Sequence, residues 1–305
     1  MVDSLTARSR SVPGRRPRPG PGVDWLLVGF LLPALLLVSA VSLYPVIDAF
    51  SLSLHATSFT HETAFVGFAN YLALARDPAV WTQLGNSLIY TVGSLVLVLP
   101  FSLALALLFN RRMPLRGLFR TIAILPWAVS QTITALLWSW ILNSNFGVGT
   151  YMLQLLLGHQ VALLSAPGSA MAALILINVW ASYPLATLLF LAALQTIPAE
   201  LMEAAAVDGA TFPARLRHVI LPLIKPTALV LMIQLTLLYF NMVTLIYVLT
   251  GGGPLGATET IAVRVLKVSF EDWHLSTGAA LGMILSIINL LFSLLYMRAL
   301  SERAA

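Results

Sequence analysis

Residues 195–226 read QTIPAELMEAAAVDGATFPARLRHVILPLIKP. This is the longest polar interruption in the second half of the chain, and apolar runs flank it at 169–194 and 227–249. Each run is long enough to cross roughly 30 Å of hydrocarbon as a helix, which takes about 20 apolar residues. The same test, carried outward, adds 25–47, 84–109, 119–142 and 276–297, giving six spans. Their deep cores hold no Asp, Glu, Lys, Arg or His, and Asp24 and Asp48 sit only at the edges of the first. The expected fold is therefore an all-α integral membrane bundle of six transmembrane helices.

Composition agrees. Of 305 residues, 59% are hydrophobic and only 10% are charged, against about 25% in a soluble domain. Such a chain cannot cover a water-facing surface of its own size, so the lipid bilayer is its expected solvent. With no cysteine, disulfides, iron–sulfur clusters and thiolate zinc sites are excluded. The net charge of +5 would suggest nucleic acid only if the cations clustered on a soluble face. Here they flank apolar runs, so no nucleic-acid partner is expected.

Orientation follows from Lys and Arg, which are retained on the cytoplasmic side. Arg8, Arg10, Arg15, Arg16 and Arg18 precede the first span, and Arg111, Arg112, Arg116 and Arg120 lie between the second and third. Arg215, Arg217 and Lys225 lie between the fourth and fifth, and Arg298 and Arg303 follow the sixth. Only Arg76, Arg264 and Lys267 fall on the other side. This alternation supports the six-span count and predicts that both termini are cytoplasmic. Residues 1–22, rich in Arg, Pro, Gly and Ser, are expected to form a disordered basic cytoplasmic tail ahead of a membrane domain over 23–300. A cleaved signal peptide is the rival reading of tail plus first run. That run exceeds a typical signal core, and no clear cleavage site follows it.

The external segments near 50–83, 143–168 and 250–275 are too short for separate domains. The first, with Phe65, Phe68, Tyr71 and Trp81, suits a short interfacial helix or strand.

The opening stretch has its own physics. Ile197-Pro198 ends the fourth span, and Glu200 to Val207 is a short helix-favouring segment with acids near its N-terminus. Asp208-Gly209 makes a turn. A second, basic helix starts near Phe212-Pro213 and runs to Ile220-Leu221, where Pro222 and Pro226 are expected to break the chain. The product is a helix-turn-helix on the cytoplasmic face. By shape alone an ordinary amphipathic interfacial loop would serve as well.

The spacing adds more. Glu203-Ala204-Ala205, Asp208-Gly209-Ala210 and Ile220-Leu221-Pro222 resemble, at matching intervals, the EAA signature of ABC importer permeases. Residues 246–254, IYVLTGGGP, look like the carbohydrate-uptake class of those permeases, of the maltose and glycerol-phosphate type. NVWASYP, from Asn178 to Pro184, is compatible with the same class. The resemblance covers about 25–298.

It implies that the loop docks into a groove on an ATPase subunit. Glu203, Ala204, Ala205, Asp208, Gly209, Ala210, Leu221 and Pro222 would carry the coupling. It further implies a second homologous permease subunit, two cytoplasmic ATPase subunits and an extracytoplasmic solute-binding protein, with a sugar as substrate. The chain would bind no cofactor, ATP and Mg residing on the partner subunits. The setting would be a bacterial inner membrane. The external turn Gly251, Gly252, Gly253 and Pro254 is a candidate contact for the binding protein. Gly251, Gly253 and Gly256 also satisfy G-x-G-x-x-G, but this stretch follows a span and contains Pro254, so a dinucleotide loop is not expected.

A sugar pathway needs polar groups inside the bundle. Asn178, Ser182 and Tyr183 in the fourth span, and Tyr239, Asn241 and Met242 in the fifth, match the regions that line the pathway in related permeases. Pro184 can kink the fourth span toward a cavity. Bonding between helices is the alternative use of such polar residues. Arg264 and Lys267 are candidates to attract an anionic solute, although cations at a span end are ordinary. No histidine pair has metal-ligand spacing, and no catalytic residue or metal site is expected. A P-loop is absent, because Lys225 and Lys267 are followed by Pro226 and Val268. The principal rival is an ion-coupled secondary transporter, which usually keeps ionisable residues inside the membrane. A membrane enzyme would need a catalytic constellation at depth, and none is present.

Overall fold

In the bilayer every backbone polar group must be satisfied within the chain, and helices dominate accordingly. A computed structural model describes residues 25–301, apart from 59–60, 112 and 160–161. The expected basic tail at 1–22, with Asp24, Arg112 and Arg303, lies outside the described residues.

The helices run in order. They begin with α1 (Trp25–Val38), a π-helical turn over Ser39–Leu43 and α2 (Tyr44–Ser53). A hairpin of β1 (His55–Ser58) and β2 (His61–Phe65) leads to α3 (Ala69–Arg76) and α4 (Pro78–Asn110). Next come α5 (Arg116–Ala128), α6 (Gln131–Ile141), α7 (Val148–Leu157) and α8 (Pro167–Gln195). The polar loop holds α9 (Ala199–Val207) and α10 (Phe212–Arg215), followed by a π turn over Leu216–Ile220 and α11 (Leu221–Phe240). The chain closes with α12 (Thr244–Thr250), α13 (Ile261–Leu266), a π turn over Lys267–Glu271 and α14 (Leu275–Ser301).

Among the described residues, those up to Asp48 form one compact unit and those from Ala49 a second. The first carries most of an apolar span candidate, Val28–Ser53. Within the second, α4 and α8 make the most extensive helix–helix contact. Each starts with proline at its first turn, where the missing N–H costs nothing. The side chain of Asp77 caps α4 by accepting from Ala79 N at 2.9 Å. Ala106, Ala170 and Ala186 are fully buried, as suits close helix approach in lipid. The main core gathers Tyr90, Val98, Leu174, Ile177, Leu231 and Tyr239 from α4, α8 and α11. A smaller cluster joins Phe240, Ile261, Val268 and Leu281 along α14.

Five helices among the described residues are long and apolar enough to cross a membrane. The expected third span is a broken one: α5 and α6 meet at 95°. Ser130 sits at the break and caps α6, accepting from Ile133 N at 3.4 Å. With that pair taken as one crossing, the six spans stand. The fold is nearly all helical, and the antiparallel hairpin β1–β2 is the exception. It occupies the segment where an interfacial helix or strand was expected, and α3 follows it.

Two expected breaks are absent. Pro222 and Pro226 do not interrupt the chain, because Phe212–Phe240 is a single helical run. Pro222 falls in the first turn of α11, a position that tolerates proline. Pro184, expected to kink the fourth span and not to end it, sits inside an α8 that continues to Gln195. The fifth span instead breaks near its other end. Asn241 Nδ2 donates to Leu237 O at 2.7 Å, the carbonyl that Asn241 N reaches only at 3.3 Å. A side chain that takes the i−4 carbonyl competes with the helix itself, and α12 resumes at Thr244.

Candidate functional site

Three polar regions sit at different depths along α4. Gln83 and Asn110 at its two ends are 27 residues apart, about 40 Å along the axis at 1.5 Å per residue.

At the Asn110 end lies the 195–226 loop. Glu200 stands in the first turn of α9, where the helix dipole favours an acid. The other end of α9 is closed by a Schellman arrangement: Gly209 has φ +73°, and Ala210 N donates to Ala205 O at 2.9 Å. That pattern requires a left-handed residue at Gly209. A Cβ there would meet nothing within 4 Å, so backbone conformation is what demands glycine. Glu203, Ala204, Asp208 and Gly209 are exposed, while Ala205 and Ala210 are half-buried. Leu221 and Pro222 are exposed on the first turn of α11. Val207 projects at the tip with 88% of its surface open. Behind α9 is a cavity of about 600 Å³ whose lining includes Asn110, Arg111, Glu203, Phe212 and Arg215. The Arg111 guanidinium lies 5.8 Å from the Phe212 ring centre. Among the described residues no ion pair is formed by Glu200, Glu203, Asp208, Arg215 or Arg217.

In mid-bundle, Tyr239 donates its hydroxyl hydrogen bond to Ser182 Oγ at 2.7 Å, and Ser182 Oγ donates to Asn178 O. Tyr90 meets the Tyr239 ring edge-on at 6.4 Å. Both Tyr90 OH and Asn178 Nδ2 are buried with no hydrogen-bond partner among the described residues. Met242 is buried below them in sequence, at the helix break. The structure thus joins Asn178, Ser182 and Tyr239, but it separates two other candidates from them. Tyr183 faces Phe101, rings 5.2 Å apart, in a cleft it shares with Trp180. Asn241 is exposed and forms a two-way amide pair with Asn289 at 3.1 and 3.0 Å.

At the Gln83 end is a knot that sequence reasoning missed. Glu259, 9% exposed, accepts from Gln83 Nε2 at 2.8 Å and from Lys267 Nζ at 3.0 Å. Arg264 stands 3.8 Å away. Lys267 also donates to Gly251 O at 2.6 Å, and Asn86 Nδ2 donates to the carbonyls of Gly256 and Glu259, each at 3.0 Å. This corrects the reading of Arg264 and Lys267 as lures for an anion: both are engaged by Glu259. The Gly251–Pro254 turn is also less open than expected. Gly252 is buried, has φ +86°, and a Cβ on it would lie 3.0 Å from Glu259 Cβ. The exposed point of the turn is Leu255, 99% open. The available signal was a lone acid five and eight residues ahead of two cations.

The helical bundle thus carries an exposed polar loop at one end and a closed charged knot at the other. Residues 78–304 match the family described as binding-protein-dependent transport system inner membrane component, and the chain belongs to that family of ABC importer permeases. It is 35% identical over 272 residues to a trehalose/maltose transport system permease protein of Thermococcus litoralis, covering 88% of this chain and 91% of the relative. It is 33% identical over 280 residues to a sulfoquinovosyl glycerol transport system permease protein of Agrobacterium fabrum, covering 91% of each. It is also 33% identical to an sn-glycerol-3-phosphate transport system permease protein of Yersinia enterocolitica, covering 89% of this chain and 92% of that one. A solved bacterial alginate ABC transporter, in complex with its alginate pentasaccharide-bound periplasmic protein, superposes with TM-score 0.77 at 26% identity. That match covers 90% of this chain and 93% of the other. A second structure, of a bacterial ABC transporter that imports alginate, gives TM-score 0.80 at 24% identity over 92% of this chain and 97% of that one.

Proposed function

We infer that the chain is one membrane-spanning half of an ATP-driven sugar importer in a bacterial inner membrane. Its termini and the 195–226 loop face the cytoplasm. A second homologous permease completes the pathway, an extracytoplasmic binding protein delivers the sugar, and two ATPase subunits carry ATP and Mg. This chain is not itself an enzyme and binds no cofactor.

The observation that carries the reading is the state of α9. A glycine-terminated short helix presents Glu203 and Asp208, exposed and without an ion-pair partner among the described residues. Ala204, Ala205 and Ala210 keep its surface low, so a groove can close over it. Leu221 and Pro222 extend the same surface onto α11. Because Phe212–Phe240 is one helical run, a push on the loop travels directly into the fifth span. The break at Asn241–Val243 then gives that span a place to change shape. Sugar passes beside Asn178, Ser182 and Tyr239, the candidates that the fold joins, with Met242 at the helix break. The buried unpartnered Asn178 Nδ2 supplies a donor that a rearranged pathway can use. Leu255 beside Gly251–Gly253 and Pro254 offers the binding protein its contact.

The test is sugar-stimulated ATP hydrolysis by the reconstituted complex. Loss of a charge-assisted contact at Glu203 is worth about 1.5–3 kcal/mol, so Glu203→Lys should cut stimulation about tenfold or more while leaving assembly intact. If no ATPase assembles with the chain, or Glu203→Lys is stimulated like the wild type, an ion-coupled carrier becomes the better account.

A further inference from the structure

From Gln83 to Ser94, every buried residue of α4 carries a polar group: Gln83, Asn86, Ser87, Tyr90, Thr91 and Ser94. The first three are engaged with the segment around Glu259. Gln83 Nε2 donates to the Glu259 carboxylate, Asn86 Nδ2 donates to the carbonyls of Gly256 and Glu259, and Ser87 Oγ accepts from Ile261 N at 2.9 Å. The last three differ: the hydroxyls of Tyr90, Thr91 and Ser94 have no hydrogen-bond partner among the described residues. We propose that these three hydroxyls form a further wall of the sugar pathway, one that hydrogen-bonds neutral hydroxyls of the solute when α11 parts from α8. The inference rests on the transport reading and adds to it a helix other than the fourth and fifth spans.

Three observations carry this. First, the hydroxyls are left alone where this chain elsewhere satisfies them. Ser87, Ser182, Thr236 and Thr250 each donate to the carbonyl four residues back, the usual recourse of a hydroxyl within a helix. Thr91 and Ser94 do not, although Ser94 and Tyr90 are fully buried and Thr91 is 2% exposed. A buried hydroxyl without a partner is destabilising, and Phe, Val and Ala would fill the same space without it. Second, the cluster lies against the joint between α8 and α11. The Tyr90 ring meets that of Tyr239 edge-on, and Tyr239 ties α11 to α8 through Ser182. The fifth span breaks just beyond Tyr239, between Phe240 and Thr244, so Tyr239 sits where that span can move. Its withdrawal uncovers Tyr90. Third, the chemistry fits a neutral, hydroxylated solute. Hydroxyls both donate and accept, Tyr90 adds an aromatic surface, and α4 itself carries no Asp, Glu, Lys or Arg.

The experiment uses the full complex with its binding protein, reconstituted in proteoliposomes. Uptake is measured for the sugar that stimulates the wild type and for its monodeoxy analogues. Each rate is expressed as variant over wild type, so that effects on the binding protein cancel. Tyr90→Phe, Thr91→Val and Ser94→Ala each remove one hydroxyl and keep the shape, so loss of any one variant to misfolding leaves the other two. A hydrogen bond is worth about a fivefold effect, and uptake of the parent sugar should slow by about that factor in each variant. For the analogue that lacks the contacted hydroxyl, the ratio should return to about one. The Tm in detergent should not fall, because the group removed had no partner. A lower Tm with one ratio for every sugar is the signature of a structural role and overturns the wall. Unchanged uptake in all three variants overturns it too. A wild type that no sugar stimulates overturns the transport reading and the wall together, whereas a stimulated wild type with a uniform ratio overturns the wall alone.

Discussion

The two ends of α4 treat charge in opposite ways. At the Gln83 end, Glu259 is buried and shares its carboxylate among Gln83, Lys267 and Arg264. At the Asn110 end, Glu203 and Asp208 are exposed on a helix nine residues long, with no ion pair among the described residues. Exposed charges cost little to leave unpaired, because water solvates them. A buried one must be held on every side. The knot is thus a structural fastening that pins the turn after the fifth span to the start of α4. The loop instead leaves its charges open at the surface. The polar residues of this bundle divide into those paired within the chain and those left exposed on it.

Three measurements break or sharpen this contrast. The largest effect is expected at Glu259. Glu259→Ala leaves Gln83 Nε2 without its acceptor and Lys267 with only Gly251 O, and breaking a buried pair costs about 3 kcal/mol. Thermal unfolding in detergent should show it, and a Tm unchanged from wild type would mean the knot fastens nothing.

Next, two glycines with similar backbone conformation separate strain from crowding. Gly252→Ala meets both a φ of +86° and Glu259 Cβ at 3.0 Å, and should cost about 2 kcal/mol. Gly209→Ala meets only the φ of +73°, and should cost about 1 kcal/mol. The same unfolding assay ranks them, and the reverse order would place the tight packing at the wrong end.

The smallest effect belongs to Glu203→Ala and Asp208→Ala. Surface changes of this kind stay within about 0.5 kcal/mol, so neither Tm should move while coupled ATP hydrolysis falls. A loss of stability comparable to Glu259→Ala would erase the distinction between fastening and lever.

Much of this was legible beforehand. The spans were readable because apolar length is a one-dimensional property, and α9 with its Asp208-Gly209 turn because capping acts over four or five residues. The long-range features were not. Glu259 lies 176 residues from Gln83, so no local pattern announces their bond, and Arg264 and Lys267 looked like unclaimed cations. Pro222 and Pro226 looked like breakers because proline lacks a donor, but Pro222 falls in the first turn of α11, where that loss is harmless, and Pro226 sits inside a helix that continues through it. The true interruption came from an ordinary asparagine, through a side-chain bond that depends on its rotamer.

By itself the sequence determined the solvent, the number of crossings, the short helix and turn of the polar loop, and the family. These follow from composition and from spacings within a few tens of residues. Only the tertiary structure decided which polar side chains are spent inside the bundle and which remain to meet a partner. It closed Glu259 into a knot, tied Tyr239 to Ser182 and turned Tyr183 away from both. The physical reason is that the worth of a polar group depends on burial and on what lies within about 3 Å of it. Neither is known until distant segments of chain have been packed together.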